Sequence, residues 1–317
     1  MNDSLLEVED LCVRFGTFAA LQDVSFELGH GETLGLVGES GSGKSTLARA
    51  ILRLIPVTSG QVKWRGEDLL ACSGNDLRRH RRDLQIVFQD PLASLNPRMR
   101  VGDTLSEPLK IFEPTLSAAA REAQVAEMLE RVGLSAAMAR RYPHEFSGGQ
   151  CQRIGIARAM MLRPKLLICD EPVSSLDVSI QGQIVNLLVD LQKEFGIAML
   201  FISHNLAVVR HVSHRVLVIY RGRLVEIADR DELFAAPAHP YTRALLAAVP
   251  DPTRASAGRA LTTGDDALIV PPFPTGCAFQ GRCAYAGGIC LNTVPLLEEV
   301  RPLHAVACHR WREVVYS

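Results

Sequence analysis

Long hydrophobic runs are missing from this sequence of 317 residues, and so is an excess of charge of either sign. No apolar stretch approaches the roughly 18 residues that can cross a bilayer, which excludes an integral membrane protein. The 34 basic and 35 acidic residues give a formal net charge of -1, which argues against nucleic acid as a partner. The first residues also lack the basic start and apolar stretch of a secretory signal, so we expect a cytosolic chain.

Disulfide bonds are not expected to stabilise this chain. Eight cysteines are few for a disulfide scaffold of 317 residues, and four of them lie in the last 41 residues. In a reducing compartment, such a cluster more often indicates metal binding or catalysis. The remaining composition, with 47% hydrophobic and 22% charged residues, is typical of a folded globular protein with room for two domains.

Short apolar runs and helical patterns alternate along the first 250 residues, which predicts an α/β fold over residues 1–250. Between residues 90 and 163 the pattern becomes helical throughout and indicates a helical subdomain inserted into that fold. Residues 251–276 are rich in Pro, Gly, Thr and Ala, so we expect a linker and a small irregular Cys-rich tail over residues 251–317. Residues 34–37 form the first apolar run, and the later runs expected to form buried, mostly parallel strands are residues 84–88, 166–169, 198–202 and 216–220.

An eight-residue phosphate-binding pattern follows the first of these runs and opens a helical pattern, which is the context that the motif requires. Its glycines let backbone N–H groups wrap the α- and β-phosphates of a nucleotide, and the helix N-terminus adds partial positive charge. Lys44 is expected to reach the β- and γ-phosphates and Ser45 to ligate Mg²⁺, with Thr46 completing the candidate set. The pattern consists of Gly38, Glu39, Ser40, Gly41, Ser42, Gly43, Lys44 and Ser45.

A pair of acidic residues ends the apolar run at residues 166–169. A buried strand that ends in an aspartate presents a carboxylate to the Mg²⁺ of a bound nucleotide, which is the role expected of Asp170. Glu171 follows directly and is expected to orient or deprotonate the attacking water, an effect of about 10² to 10⁴ in rate. The alternative is that Glu171 is a solvated carboxylate at a strand end.

A second anion-binding pattern begins at Ser147, a preferred helix N-cap. Gly148 and Gly149 follow it in the first helical turn, where each costs about 1 kcal/mol relative to alanine. Bare glycines at a helix start let N–H groups approach an anion closely. Because the chain already has one phosphate loop, we expect Ser147, Gly148, Gly149 and Gln150 to cap the γ-phosphate of a nucleotide held by another subunit. The alternative is a merely flexible helix start.

These motifs, in this order and spacing, resemble the ATP-binding cassette ATPases of ABC transporters. The resemblance covers about residues 5–250 and implies a P-loop NTPase fold of the ABC ATPase type that binds and hydrolyses ATP with Mg²⁺. It rests on the phosphate loop, Gln89 after a strand, Phe146 to Gln150, Asp170 with Glu171, Ser175 to Asp177, and His204.

The resemblance also implies roles for single residues outside the phosphate loop. Phe15 would stack on adenine, Gln89 would contact Mg²⁺, the γ-phosphate and the transmembrane partner, Asp177 would contact the other subunit, and His204 would touch the γ-phosphate. Other interpretations stay open: Phe15 as a core aromatic, Gln89 as a loop-capping amide, and His204 as a partly buried histidine. Asn205 replaces the usual aspartate, which leaves open how the turn that holds His204 is braced.

Residues 239–246, Arg98 and the string at residues 149–153 resemble the ATPases of bacterial dipeptide and oligopeptide importers, in particular the second of their two ATPase subunits. This implies an ATP-hydrolysing subunit that energises peptide import. Its partners would be a second ABC ATPase in a heterodimer, two transmembrane permease subunits and, indirectly, an extracytoplasmic substrate-binding protein. It would lie peripherally on the cytoplasmic face of the inner membrane. The alternatives are a non-transport cassette ATPase of translation or DNA repair, or an importer of nickel, glutathione, opines or sugars.

The last four cysteines, Cys277, Cys283, Cys290 and Cys308, have five, six and seventeen residues between them. Structural zinc normally has a pair of ligands separated by two to four residues, which this spacing lacks. Four thiolates also suit an iron–sulfur cluster. The tail resembles the cluster-binding end of peptide-importer ATPases, which implies a 4Fe-4S cluster with a structural role; zinc and four unligated thiols stay open as alternatives.

Overall fold

The structure, a computed structural model, describes residues 4–248 and 275–315. Contacts within the chain group these residues into two compact units. The first comprises residues 4–5, 28–33 and 71–202, and the second comprises residues 6–27, 34–70, 203–248 and 275–315. The predicted linker lies outside the described residues except for positions 275 and 276, and the predicted domain boundary near residue 250 stays a prediction.

The elements have the following bounds in the described residues. The strands are β1 (Ser4–Phe15), β2 (Phe18–Gly29), β3 (Thr33–Val37), β4 (Ser59–Trp64), β5 (Glu67–Asp68), β6 (Leu84–Val87), β7 (Leu166–Asp170), β8 (Ala198–Ile202), β9 (Arg215–Tyr220), β10 (Arg223–Asp229), β11 (Glu298–Arg301) and β12 (His304–Val306). The helices are α1 (Lys44–Ile51), α2 (Gly74–His80), α3 (Val101–Phe112), α4 (Ala118–Arg131), α5 (Gly148–Met160), α6 (Val178–Phe195), α7 (Leu206–Val212), α8 (Arg230–Ala235), α9 (Pro240–Ala247), α10 (Gly288–Asn292) and α11 (Trp311–Val315).

The first unit contains three parallel strands in the order β6, β7, β8. Every residue of β7 and β8 is buried, which explains why residues 166–169 and 198–202 are continuous apolar runs rather than alternating patterns. The register pairs Leu166 with Ala198 and Asp170 with Ile202. The carboxyl ends of β7 and β8 therefore lie side by side, with Asp170 at that edge.

Helices of the first unit fill the segment that has helical periodicity. In this segment α3 packs against α4 and α5, and α4 buries Val125, Met128 and Leu129. Helix α6 ends at Gly196, whose φ of 61° is the left-handed conformation that commonly terminates helices. Among the described helices, none is long and apolar enough to span a bilayer.

The second unit contains an antiparallel sheet in the order β2, β1, β4, β5 and a run of strands in the order β11, β12, β10, β9, β3. Within that run only β3 and β9 pair in parallel. The C-terminal tail is thus more regular than the sequence predicts, because its strands β11 and β12 extend a sheet through β10. Three-residue and four-residue strands of this kind are too short to show periodicity in the sequence.

A buried carboxylate fastens the tail to this unit. Glu226 is fully buried on β10 and accepts hydrogen bonds from the backbone N–H groups of Ala238 (2.6 Å) and His239 (3.0 Å). Its Oε1 lies 2.8 Å from Nε2 of His304, which the tail contributes through β12. Buried polar groups are stable only when they are paired, so this network specifies where the tail docks.

His239 gives the fold a defined sensitivity to acid. Burial lowers the pKa of His239 from 6.5 to about 4, although the nearby Glu226 opposes this shift, and its Nδ1 accepts a hydrogen bond from the N–H of Tyr241 (3.0 Å). The unfolded chain therefore binds the proton first as the pH falls, so stability is lost between pH 6.5 and pH 4. From pH 7 to pH 5 we expect this residue to remove about 2 kcal/mol from the free energy of unfolding.

Urea denaturation of the His239→Asn variant at both pH values checks this expectation. Asparagine also caps helices well, so the variant should fold. It should lack most of the decrease in the free energy of unfolding between pH 7 and pH 5. Replacing the exposed His211 with asparagine is the matched control and should leave the pH dependence of the wild type. If the free energy of unfolding falls by the same amount between pH 7 and pH 5 in the wild type and in His239→Asn, His239 is not the source of the acid sensitivity.

Candidate functional site

The phosphate loop lies in the second unit, between β3 and α1. Gly43 is the N-cap of α1 with a φ of 105°, and a Cβ at this position would lie 2.8 Å from the carbonyl oxygen of Ala20, so only glycine fits there. The Lys44 side chain is buried, and its Nζ donates to the carbonyl oxygens of Gly38 and Glu39, each at 2.9 Å. The loop is therefore folded around the ammonium group that the sequence predicts for phosphate binding.

Two side chains from outside the motif make hydrogen bonds to Glu39 of this loop, and the sequence assigns neither of them to the site. The Oη of Tyr241 accepts a hydrogen bond from the N–H of Glu39 (2.8 Å), and Arg282 donates two hydrogen bonds of 3.0 Å to the Glu39 carboxylate. The motif at residues 239–246 is a signal for Tyr241. For Arg282 the sequence offers only its position next to Cys283.

The turn that holds His204 is braced without the usual aspartate. Asn205 is the N-cap of α7, and its Oδ1 accepts from the N–H groups of Ala207 (3.0 Å) and Val208 (3.3 Å). The N–H of Asn205 donates to Oγ of Ser203 at 3.0 Å. The amide oxygen thus supplies the helix cap that a carboxylate would supply, which answers the question left open by the sequence.

The acidic pair and Gln89 lie in the first unit, where the structure brings the side chains of Gln89 and Glu171 together. Asp170 is buried at the end of β7, and the N–H of Glu171 donates to the carbonyl oxygen of Ile202 at 3.1 Å. Glu171 has a left-handed φ of 49°, a strained backbone of the kind that functional sites retain. The Nε2 of Gln89 lies 3.4 Å from Oε2 of Glu171, a long hydrogen bond.

The second anion-binding pattern starts α5 in the first unit. Oγ of Ser147 accepts from the N–H of Gln150 (3.4 Å), and Oε1 of Gln150 accepts from the N–H of Ser147 (3.0 Å), which is a capping box. A Cβ on Gly149 would lie 2.7 Å from Cγ2 of Ile180, whereas one on Gly148 would make only an ordinary 3.6 Å contact. Gly149 is therefore needed for packing against α6, and Gly148 has room for close approach by a ligand.

The remaining predicted residues of the ATP site are on the surface or at helix starts. Phe15 is 49% exposed at the end of β1, so the interpretation of Phe15 as a core aromatic is wrong. Asp177 is the N-cap residue of α6. The stacking of Phe15 on adenine and the contact of Asp177 with another subunit stay predictions.

The four cysteines of the tail line one small cavity together with Phe279 and His309. All eight cysteines of the chain are free thiols. Burial raises the pKa of the Cys277 and Cys283 thiols, and it raises that of Cys308 to about 12. Within residues 4–248 and 275–315, no three histidine, cysteine or carboxylate side chains form a group that could hold a single metal ion.

Comparisons with known proteins place this chain in a family. Residues 21–174 match the family model described as ABC transporter, and residues 225–290 match the model described as oligopeptide/dipeptide transporter, C-terminal region. The oligopeptide transport ATP-binding protein OppF of Salmonella typhimurium is 50% identical over 96% of this chain and 95% of its own length. The probable peptide ABC transporter ATP-binding protein y4tS of Sinorhizobium fredii is 52% identical over 98% of this chain and 90% of its own.

Solved structures agree with this placement. The structure of cbiO1 from Clostridium perfringens, part of the ABC transporter complex cbiONQ, has a TM-score of 0.66 and 29% identity over 74% of this chain and 92% of that one. The ATP-binding cassette MJ0796, in a dimeric post-hydrolysis state with ADP and Pi, has a TM-score of 0.65 and 27% identity over 71% of this chain and 98% of that chain. The chain therefore belongs to the ATP-binding cassette ATPases, as an ATP-binding subunit of an ABC transporter with the α/β fold of that family.

Proposed function

We propose that this chain hydrolyses ATP to energise the import of peptides through a membrane ABC transporter. The observation that carries the proposal is the 50% identity, over nearly the full length of both chains, to oligopeptide transport ATP-binding proteins. The match of residues 225–290 to the C-terminal region of oligopeptide/dipeptide transporters supports the same cargo. The relatives named above give no support to a role in translation or DNA repair.

In this proposal the first group of predicted residues acts on the triphosphate, its metal or the attacking water. Lys44 and the N–H groups of the loop bind the phosphates. Ser45 and Asp170 carry the hydroxyl and carboxylate oxygens that would hold Mg²⁺, and the ion would supply positive charge that offsets the negative charge of the triphosphate. Glu171 accepts a proton from the attacking water, and the adjacent Gln89 orients that water and joins the metal ligands.

The other predicted residues act at the edges of the nucleotide. Phe15 offers an exposed aromatic face on which adenine can stack, and His204 contacts the γ-phosphate. Ser147 and Gly148 cap the γ-phosphate of a nucleotide bound by a second ATPase subunit, which Asp177 also contacts. The exposed start of α5, with room at Gly148, supports this arrangement.

The proposal places the chain in an assembly on the cytoplasmic face of the inner membrane. Two transmembrane permease subunits form the pore, and an extracytoplasmic substrate-binding protein delivers the cargo. The second ATPase is a different chain, so the ATPase pair is a heterodimer. The relatives that are named as transport ATP-binding proteins support the permease partners, and the dimeric form of MJ0796 supports the pairing of two cassettes.

Peptide stimulation of ATPase activity tests this function. The full transporter, reconstituted in lipid with its binding protein, should hydrolyse ATP faster when the binding protein is loaded with a peptide. Binding proteins loaded with nickel, glutathione, an opine or a sugar serve as comparisons. Stimulation by one of these ligands and not by peptide would overturn the proposed cargo, and co-purification with ribosomes or DNA instead of membranes would overturn the transport function.

We also propose that the four cysteines of the tail hold a 4Fe-4S cluster with a structural role. Four thiols that line one cavity form a suitable set of thiolate ligands once a metal displaces their protons. The spacing of the four cysteines lacks the pair of ligands separated by two to four residues that is typical of structural zinc.

Protein purified without oxygen should therefore be coloured. We expect a broad absorbance near roughly 400 nm, as thiolate-bound iron–sulfur centres show, with iron and acid-labile sulfide in equal amounts. Cys283→Ser should lose this absorbance, whereas Cys72→Ser, outside the tail, should keep it. Colourless wild-type protein with stoichiometric zinc, or with no metal, would decide against the cluster.

A further inference from the structure

The contact between the tail and the phosphate loop is the strongest feature that the proposed function leaves unexplained. Arg282 approaches the Glu39 carboxylate with both terminal guanidinium nitrogens, each at 3.0 Å from a different oxygen. Such bidentate pairs are stronger and more directional than single ion pairs. The two residues are 243 positions apart in the sequence, so the pair connects the tail directly to the second residue of the loop.

Glu39 is held at three points. Its N–H donates to Tyr241, its carbonyl oxygen accepts from Lys44, and its carboxylate accepts from Arg282. Arg282 and Tyr241 therefore fix the position of Glu39, whose carbonyl oxygen in turn holds the Lys44 ammonium group. A loop that is fixed in advance binds its ligand more tightly, because less conformational entropy is lost on binding.

Arg282 also neutralises a charge beside the phosphate loop. Glu39 is the only acidic residue of the eight-residue motif. A carboxylate without a cationic partner at this place would repel the negative charges of a triphosphate. Removing the guanidinium is therefore expected to weaken ATP binding in two ways, through a looser loop and through this repulsion.

The cysteine segment sets the position of Arg282. Arg282 ends a 3₁₀ turn, Gln280–Arg282, and the next residue is Cys283. Its guanidinium carbon lies 5.6 Å from the ring centre of Phe279, and Phe279 is buried against Tyr220 and Tyr241. A change in the folding or ligation of the cysteine segment is therefore expected to alter the position of Arg282 relative to Glu39.

We propose that Arg282 is a positioning residue that couples the four-cysteine tail to the phosphate loop, so that the state of the tail sets the affinity for ATP. Thermodynamic linkage makes this coupling reciprocal, so that bound nucleotide also stabilises the tail. Because it concerns ATP binding alone, the inference stands whatever cargo the transporter carries. The ion pair is partly exposed, with 36% of the Arg282 side chain and 41% of the Glu39 side chain accessible, which limits the expected effect.

A double-mutant cycle on the full-length chain tests the coupling. We expect Arg282→Ala to raise the Kd for Mg-ATP by about 3- to 10-fold and Arg282→Lys to raise it less. In a Glu39→Gln background, the same Arg282→Ala change should alter the Kd by less than about 2-fold, since the pair and the charge are already lost. The matched control is Arg301→Ala, which removes another tail arginine paired with a carboxylate, Glu232, at 3.3 Å, and should leave the Kd unchanged.

Amide hydrogen exchange of the tail supplies the reciprocal readout. A non-hydrolysable ATP analogue with Mg²⁺ should slow exchange in residues 277–283 of the wild type and of Arg301→Ala, but not of Arg282→Ala. If Arg282→Ala unfolds the tail, the double-mutant cycle with Glu39→Gln is measured with Arg282→Lys instead. An unchanged Kd for Arg282→Ala, additive effects in the cycle, or an equal loss of affinity in Arg301→Ala would each overturn the proposal.

Discussion

ATP hydrolysis by the Glu171→Gln variant is expected to be slower than that of the wild type by about 10²-fold or more, with ATP binding intact. The amide has the shape of the carboxylate but cannot accept the proton of the attacking water. Gln89, 3.4 Å away, keeps a polar partner, so the local structure should be retained. Because hydrolysis is then blocked after binding, the ATP-bound dimer should also persist longer.

Steady-state turnover, the Kd for ATP and the lifetime of the dimer measure these three effects. The matched control is Glu130→Gln, which changes an exposed glutamate of α4 in the same unit and should have normal turnover. Near-normal hydrolysis by Glu171→Gln would refute its role as the base and would favour the interpretation of Glu171 as a solvated carboxylate.

The second large effect is expected from Gly148→Asp. This substitution places a carboxylate at a helix start that we propose to cap the γ-phosphate of another subunit, where like charges repel. A Cβ at Gly148 makes only a 3.6 Å contact with Leu176, so the variant should fold. We expect about 10²-fold slower hydrolysis by the assembled ATPase pair, because electrostatic stabilisation of this size depends on the lost half-site. ATP binding by the variant's own phosphate loop should be unchanged.

Gly182→Asp is the matched control for this variant. Gly182 is exposed on α6 in the same unit, and nothing lies within 4 Å of the position that its Cβ would take. The Gly182→Asp substitution introduces the same charge and a similar loss of backbone freedom as Gly148→Asp, but it does not change α5. Full turnover by the Gly148→Asp assembly, or equal losses in both variants, would contradict the proposed half-site. Full turnover by the wild-type chain as a strict monomer would also contradict it.

The parts of the fold that sequence predicts are those with strong local signals. The first four residues of β7 form an unbroken apolar run that is fully buried, and so do the five residues of β8. The phosphate loop is recognisable because its glycines are required by its backbone, as at Gly43. Each of these features depends on residues within one or two neighbouring elements, so it can be predicted from the local amino-acid pattern.

The features that sequence does not predict depend on contacts between distant residues. The tail docks through Glu226 and His304, which are 78 positions apart, and neither residue type signals such a partner. Gly149 looks like part of an anion site, yet it is needed for packing against Ile180, and only the position of α6 shows this. The brace at Asn205 is intermediate, because asparagine is a known helix cap but the N–H groups that donate to its Oδ1 follow from the turn geometry.

Uptake of a labelled peptide into proteoliposomes measures whether ATP hydrolysis by this chain drives peptide import. The vesicles contain the two permease subunits, the partner ATPase and this chain, with the peptide-loaded binding protein on one side and Mg-ATP on the other. We expect ATP-dependent accumulation with the wild-type chain and with Glu130→Gln, and almost none with Glu171→Gln. Uptake that proceeds equally well with Glu171→Gln or without this chain would contradict its role as the ATPase that drives import.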